Sequence, residues 1–273
     1  MRVMTWNLWW QFGPWEKRQG AIAAVIESEA PDIICLQEVW SDGSDSAAHR
    51  LAARLRMHAV LSDDPFAEER RQGTGPAGSV GFHNAILSRW PLVDPVSVPL
   101  PGAEGRPGHR RAVAATVEAP TGRWPVVCTH FDYRFDESAA RIRQATRVLE
   151  LVAQRRNDPE TGPPTVIGAD CNAVPDSDEI RMLTGRTAAP VPNLVFSDVW
   201  EQCGEGHGHT WRSDNPYRAN TAWPNRRLDY LFVSWPRPKP IGNPTRAWMT
   251  GLGPVDGVWP SDHAAVVADL ADS

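Results

Sequence analysis

At 273 residues and 41% hydrophobic content, the chain can bury a sizeable core without disulfides or structural metals. Its net charge of −5 excludes a strong general attraction for nucleic acid or anionic membrane, although a basic groove on an acidic protein remains compatible with it. No apolar stretch approaches the roughly 20 residues needed to span a bilayer, which excludes a helical membrane protein.

In chain order, Arg2 to Trp6 reads as a short buried strand ending at Asn7. Trp15 to Ala30 carries Ile22, Val25 and Ile26 on one helical stripe, stopped by Pro31. Asp32 to Gln37 is an apolar strand ending at Glu38, which completes a βαβ pattern. Ser46 to His58 reads as a helix, Asp63 to Gly78 as a loop, and Ser79 to Ser88 and Leu92 to Val98 as strands broken at Pro91. Leu100 to His109 is a second loop. Arg111 to Glu118 alternates like a strand, and Gly122 turns the chain into Trp124 to Thr129, ending at His130.

Asp136 is suited to N-cap a long helix reaching Arg156. Thr165 to Ala169 is a strand ending at Asp170. A short helix over Asp176 to Thr184 has Asp176 and Glu179 spaced like a capping box. Gly185 to Asn225 reads mostly as loop, Leu228 to Val233 as a strand and Pro236 to Val258 as another loop. The last strand follows Ser261-Asp262-His263. The succession strand, polar end, helix, strand, polar end occurs in residues 1–40 and again in 124–172. Two such halves suggest two mixed sheets packed face to face with helices outside. No linker divides the chain, so one domain over 1–273 is expected.

Five apolar runs thus end in a polar residue, at Asn7, Glu38, His130, Asp170 with Asn172, and Asp262-His263. One such end is ordinary, whereas five suggest a single site built from many strand ends. The motifs Thr5-Trp6-Asn7, Leu36-Gln37-Glu38, Thr129-His130, Gly168-Ala169-Asp170-Cys171-Asn172, Arg227-Leu228-Asp229-Tyr230 and Ser261-Asp262-His263 occur in this order over nearly the whole chain. The set resembles the endonuclease/exonuclease/phosphatase superfamily of metal-dependent phosphoester hydrolases. The resemblance implies a four-layer α/β sandwich and Mg²⁺, or Mn²⁺, as cofactor. It also implies hydrolysis of a phosphoester by direct attack of an activated water.

Magnesium takes oxygen ligands and is held by one or two carboxylates plus substrate phosphate. Glu38 is the best primary ligand, with Asn7 and Asp262 as further candidates. Asp170 and Asn172, two apart, face the same way on an extended backbone, where one can deprotonate a water and the other donate to a phosphate oxygen. His130 and His263 suit contact with the charge of the transition state. The resemblance adds Asp229 as the residue that holds the His263 tautomer; the residues alone also allow Asp229 to pair with Arg226 or Arg227. Trp9 and Arg134 are candidates for substrate binding, and Arg141 and Arg143 for reaching phosphate. The other histidines read as surface or loop residues.

Two positions depart from the apurinic endonucleases of that superfamily. Trp9 stands where they carry an acid, and His130 where they carry a Tyr. No acidic residue is placed in the sequence to partner His130.

The expected partner is a phosphoester substrate, either a small molecule or a nucleic-acid end, since no basic run favours long DNA. The competing reading is a catalytically silent protein that binds a phospho-ligand on the same scaffold. Cys35, Cys128, Cys171 and Cys203 show no CxxC spacing and read as buried free thiols. Met1 leads straight into Arg2-Val3-Met4 without the regions of a secretory leader, so a cytoplasmic monomer is expected.

Overall fold

The computed structural model describes residues 1–71, 80–218 and 222–272. Strand β1 (Arg2–Asn7), helix α1 (Trp15–Glu29) and strand β2 (Ile33–Ser41) form the first βαβ unit. Helix α2 (Ala47–Leu55), β3 (His58–Leu61), α3 (Ala67–Arg71) and β4 (Gly81–Ser88) follow. The second half contains β5 (Leu92–Leu100), β6 (Arg110–Ala119), β7 (Gly122–His130), α4 (Ser138–Arg155), β8 (Val166–Asp170) and α5 (Asp178–Leu183). The chain then passes through β9 (Val195–Asp198), α6 (Val199–Cys203), β10 (Asp229–Trp235), β11 (Pro244–Thr250) and β12 (Ala265–Leu270).

The strands make two six-stranded mixed sheets, in the orders β11-β12-β1-β2-β4-β3 and β5-β6-β7-β8-β10-β9. Each sheet holds one parallel pair, β1 with β2 and β7 with β8, where a helix makes the crossover. Three apolar clusters separate four layers. One lies between α1, α2 and the first sheet, one between the two sheets, and one between the second sheet, α4 and α5. The four-layer α/β sandwich expected from the sequence is the observed fold.

Side-chain alternation decides what the sandwich encloses. In β1, Val3 belongs to the inter-sheet cluster while Met4 and Trp6 face the helices. Asn7 shares parity with Val3, so it faces the opposite sheet. By the same count His130 follows Val126 and Cys128, Asp170 follows Val166, and Asp229 precedes Leu231 and Val233. The polar strand ends therefore converge between the sheets at one end of the sandwich.

Several connections differ from expectation. Strands β3, β9 and β11 and helices α3 and α6 lie in segments read as loop, or at their margin. All are short, and β3, β9 and β11 sit at sheet edges or beside them, where an apolar repeat is not required. Asp136 does not cap α4; Glu137 holds that position without a side-chain cap bond. The capping box at Asp176 is likewise absent, since α5 begins at Asp178 after Ser177. Glu179 is instead fully buried, accepting from Arg141 and from Ser138 at 2.6 Å. A buried carboxylate is satisfied better by a guanidinium than by a backbone amide at a helix end.

The sheets pack tightly at Gly168. A Cβ there would lie 2.4 Å from Cys35 Cβ and 3.1 Å from Thr5 Oγ1, so only glycine fits. Beside it the buried Gln37 amide donates to Thr5 Oγ1 at 3.1 Å. Gly168→Ala is expected to lower unfolding free energy by about 1–3 kcal/mol through overpacking. A urea titration of both proteins measures the shift; an unchanged midpoint would mean the sheets can separate locally without cost.

Candidate active site

Register places the site residues side by side. His130 pairs with Asp170 and Asp170 with Asp229, giving a row of three across β7, β8 and β10. From the other sheet, Asn7 Nδ2 donates to Asp170 Oδ2 at 2.9 Å and to Glu38 Oε1 at 3.2 Å. His263 Nδ1 lies 2.8 Å from Asp229 Oδ2, and its Nε2 lies 4.0 Å from Asp170 Oδ2. Asp229 thus engages His263, while Arg227 pairs with Asp198 at 2.6 Å and Arg226 lies over the rings of Phe135 and Trp223. Asn7, Glu38, His130, Asp170, Asn172, Asp262 and His263 all line one cavity of about 850 Å³, with Trp9 and Arg134 at its walls.

Two of these residues reach the cavity by a route that the strand period does not give. In an extended β2, Glu38 would point to the helix side with Leu36. Its φ of 53° and a register shift between Leu36 and Val39 form a bulge that turns it inward. Asn172 has φ 49° rather than the extended backbone expected for it. Its N–H donates to Asp170 Oδ1 at 2.9 Å, an Asx turn that keeps both side chains at the site.

The electrostatics divide the two histidines. Burial and then Arg110 push His130 down to about 3, so its ring is neutral. His263 is driven well above its ordinary value: burial opposes this, but Asp229, Asp262 and Asp170 outweigh it. Asp170 remains ionised below the usual carboxylate range because His130, His263, Asn7 and the Asn172 N–H outweigh its burial. Glu38 is raised to about 7 by burial and by Asp262. Environments that pull like groups apart in this way are how a site separates its acid from its base.

The loops carrying Asn7 and Asp262 are tied by a residue with no sequence signal of a site. Arg18 is fully buried, without a carboxylate partner, and donates to five backbone carbonyls. Four belong to the loop after β1 (Leu8, Trp9, Trp10 and Phe12) and the fifth is Pro260, next to Ser261-Asp262-His263. Ser261 Oγ donates to Asn7 O at 2.6 Å, joining the same two loops.

Other residues were not foreseen at the site. Arg110 lines the cavity with its side chain only 11% exposed, and its Nη1 lies 3.0 Å from His130 Nδ1. An acid does approach His130, since Asp170 Oδ2 stands 3.3 Å from Nε2. His109, read as a loop residue, lies in the loop but also faces the cavity. Arg134 sits at the rim, 53% exposed and 3.9 Å from Glu137. Arg141 does not reach the site, being committed to Glu179, and Arg143 donates outside it to Gly102 O. Trp9 stacks on Tyr217 at 4.5 Å and covers Arg18, whereas Trp15 and Trp40 pack edge to face in the helix layer.

Phe12, Tyr133 and Phe135 line the cavity while 48%, 60% and 40% exposed, and Trp223, 48% exposed, packs on Phe135. They make up four of the six large hydrophobic side chains exposed among the described residues. Such crowding of exposed rings on one cleft marks a contact surface rather than a core margin.

The residues present fit a hard divalent cation. Glu38 Oε2 is buried without a hydrogen-bond partner, an orphaned carboxyl oxygen beside Asp262. Asn7 turns its NH₂ toward the carboxylates, and its Oδ1 accepts the Trp9 N–H at 2.8 Å, leaving one lone pair. Asp170, Asp229 and His263 also offer three ligand atoms within 4.8 Å of one another. His263 and Asp229 already bond each other there at 2.8 Å through Nδ1 and Oδ2, which leaves Nε2 and the unpartnered Asp229 Oδ1 for an ion.

Fold and candidate site together are two mixed sheets with a carboxylate, amide and imidazole cluster at one end. The pattern that describes the Endonuclease/Exonuclease/phosphatase family matches residues 4–263, and the chain belongs to that family. Protein angel of Drosophila melanogaster is 26% identical over 217 residues, 75% of this chain and 57% of that protein, so the chain spans little more than half its length. Among solved structures, the human Nocturnin catalytic domain with bound sulfate superposes with TM-score 0.74 at 23% identity, covering 99% of this chain and 93% of that one. An endonuclease/exonuclease/phosphatase from Beutenbergia cavernae gives 0.71 at 27% identity, with 99% and 71% covered. TDP2 of D. rerio complexed with single-strand DNA product gives 0.74 at 18% identity, with 98% and 97% covered.

Arg18→Met removes the donors of five carbonyls and is expected to destabilise the protein by about 2–4 kcal/mol, since unsatisfied buried carbonyls cost about 1–3 kcal/mol each and some will find water. Arg18→Lys, with three donors on a compact head, should recover only part of this. Urea denaturation of the three proteins tests the ranking, and equal stability of Met and wild type would remove the tie assigned to Arg18.

Proposed function

We propose that the protein hydrolyses a phosphodiester by direct attack of water, without a covalent intermediate. The observation that carries this reading is the convergence on ionised Asp170 of a neutral and a charged imidazole, beside the orphaned oxygen of Glu38. Glu38 and Asp262, with Asn7 beside them, would hold a divalent cation, Mg²⁺ or Mn²⁺, which when bound supplies positive charge to the phosphoryl oxygens.

Asp170, fixed by four neighbours, accepts the proton of the attacking water and Asn172 orients it. His263, as imidazolium, donates from Nε2 to the charge developing on phosphate, while Asp229 fixes its ring through Nδ1. His130 contributes a neutral ring on the other flank. The competing reading of a silent binding protein leaves the orphaned Glu38 oxygen and the fixed Asp170 without a task.

The exposed rings at the mouth favour a substrate with planar groups beside the phosphate. Tyr133, Phe135 and Trp223 form one wall, and Trp10, Phe12 and Phe82 another. A small nucleotide phosphodiester or a nucleic-acid end suits that cleft better than long duplex, which the net charge of −5 does not favour. TDP2 of D. rerio, which has the same fold, is complexed with single-strand DNA product, and that supports this reading.

With bis-(4-nitrophenyl) phosphate and Mg²⁺ or Mn²⁺, wild-type turnover is expected and EDTA should abolish it. Asp170→Asn should lower kcat by roughly 10²–10⁴-fold, and His263→Ala by about 10²–10³-fold. Glu38→Gln should raise the metal concentration needed for half activity. Turnover indifferent to all three substitutions and to EDTA would sink the enzyme reading.

On a dinucleoside monophosphate, Phe135→Ala should raise KM by an amount worth about 1–3 kcal/mol per stacked base, with kcat little changed. The same substitution should leave KM for methyl 4-nitrophenyl phosphate unaltered. A KM shift shared by both substrates would count against stacking.

A further inference from the structure

We infer that Arg110 is a positioning residue that fixes which nitrogen of His130 carries the proton. The inference rests on the reading of His130 as part of a phosphodiesterase site, but its principal test does not. Neutral imidazole has one donor and one acceptor nitrogen, and the partner of one decides the other. A guanidinium has five N–H donors and no acceptor, and in proteins it does not lose its charge. Arg110 Nη1 lies 3.0 Å from His130 Nδ1, so Nδ1 must present its lone pair and the proton must sit on Nε2.

The surroundings hold Arg110 in place. Its side chain is 11% exposed, and Nε lies 3.7 Å from Asp132 Oδ1. Asp132 in turn accepts from Gln144 Nε2 at 2.6 Å, and the guanidinium lies over the Phe82 ring at 5.9 Å. Phe82 also lies against His130, with ring centroids 6.2 Å apart.

The assigned tautomer has consequences on the far side of the ring. Asp170 Oδ2 stands 3.3 Å from Nε2, near enough for a favourable charge contact but without the alignment of a hydrogen bond. The Asn172 amide end 2.9 Å from Nε2 must then offer an acceptor, which its oxygen provides if the amide is turned about its axis. That turn gives up the bond now made from Asn172 Nδ2 to Phe131 O at 3.1 Å. The opposite tautomer keeps this bond but sets Arg110 Nη1 against Nδ1–H, two donors 3.0 Å apart with a fixed charge on one. The amide turn also sets the Asn172 oxygen against Phe131 O, but this conflict is between uncharged groups, whereas the other carries the fixed charge of Arg110. A guanidinium on Nδ1 also makes a second charge on the ring unfavourable, so His130 serves as a neutral N–H donor next to Asp170. A carboxylate in the place of Arg110 would give the reverse: Nδ1–H, a bare Nε2 and a ring easily charged.

The test is the side-chain ¹⁵N spectrum of the protein at neutral pH, with uniform labelling and His130→Gln to assign the ring. Wild type should show His130 with a pyrrole-type Nε2 and a pyridine-type Nδ1. Arg110→Met, which offers no donor, should shift the ring to Nδ1–H or to a mixture. Arg110→Lys, a single cationic donor, should restore the wild-type pattern at least in part. On a turnover substrate, Arg110→Met should lower kcat by roughly 10–100-fold, the usual effect of removing a partner that orients a site residue, with a smaller change in KM. Nδ1–H in wild type, or a His130 pattern unmoved in a folded Arg110→Met, would overturn the assignment. Loss of activity through KM alone with an unmoved pattern would make Arg110 a substrate contact instead. Absence of turnover in wild type together with the expected spectra would leave the tautomer assignment standing and refute only the phosphodiesterase reading.

Discussion

A single ionised carboxylate, that of Asp170, sets the terms for the rest of the site. Burying an unpaired charge of this kind is prohibitive, so the fold must bring donors to it from several directions. It does so with Asn7 from the opposite sheet, the Asn172 backbone from its own turn, and two imidazoles from β7 and the segment before β12. None of these donors is a lysine or arginine. Two are neutral amides and one is a neutral ring, so the charge is held by dipoles and by His263 rather than cancelled by a tight salt bridge.

The dependence runs outward from there. Asn7 reaches Asp170 across the gap between the sheets, two residues along β8 from Gly168, where Cys35 and Thr5 occupy the space that a side chain would need. His263 reaches the cluster because the segment before β12 is fastened to the loop after β1, through Arg18 to Pro260 and through Ser261 to Asn7. The loop after β1 and the segment before β12 are therefore made into one wall by hydrogen bonds to backbone. Such bonds do not weaken with salt as surface pairs do.

Much of the site could be read from the sequence because it obeys the two-residue period of strands. An apolar run ending in Asn7, His130 or Asp170 declares both the strand and the face its last residue takes. What was not legible depends on tertiary partners or on departures from that period. Glu38 and Asn172 were picked out by type, yet their routes into the cavity depend on left-handed backbone that nothing local demands. Arg18 and Arg110 look like any other arginines in a chain with 28 basic residues, all arginine but for Lys17 and Lys239. Their roles follow from five carbonyls in one case and one ring nitrogen in the other. The capping residues failed for a related reason, since Glu179 meets a better partner in Arg141 than its own helix end offers.

The left-handed residues show where the fold bears strain. Trp9 and Trp10 at φ 59° and 33°, Glu38 at 53° and Asn172 at 49° all lie in the cavity wall, and none is glycine. Each costs on the order of 1–3 kcal/mol and persists only where its surroundings overdetermine it. Those surroundings can be named: Arg18 holds the carbonyls of Trp9 and Trp10, Glu38 O accepts the Trp10 N–H at 3.1 Å, and Asp170 Oδ1 holds the Asn172 N–H. The sandwich core therefore supports four unfavourable conformations at one end, and each turns a side chain into the same cavity. Five further non-glycine residues among those described, Ala30, Arg56, Asp94, Asn193 and Asp256, are left-handed away from the cavity, so what sets these four apart is the shared direction of their side chains.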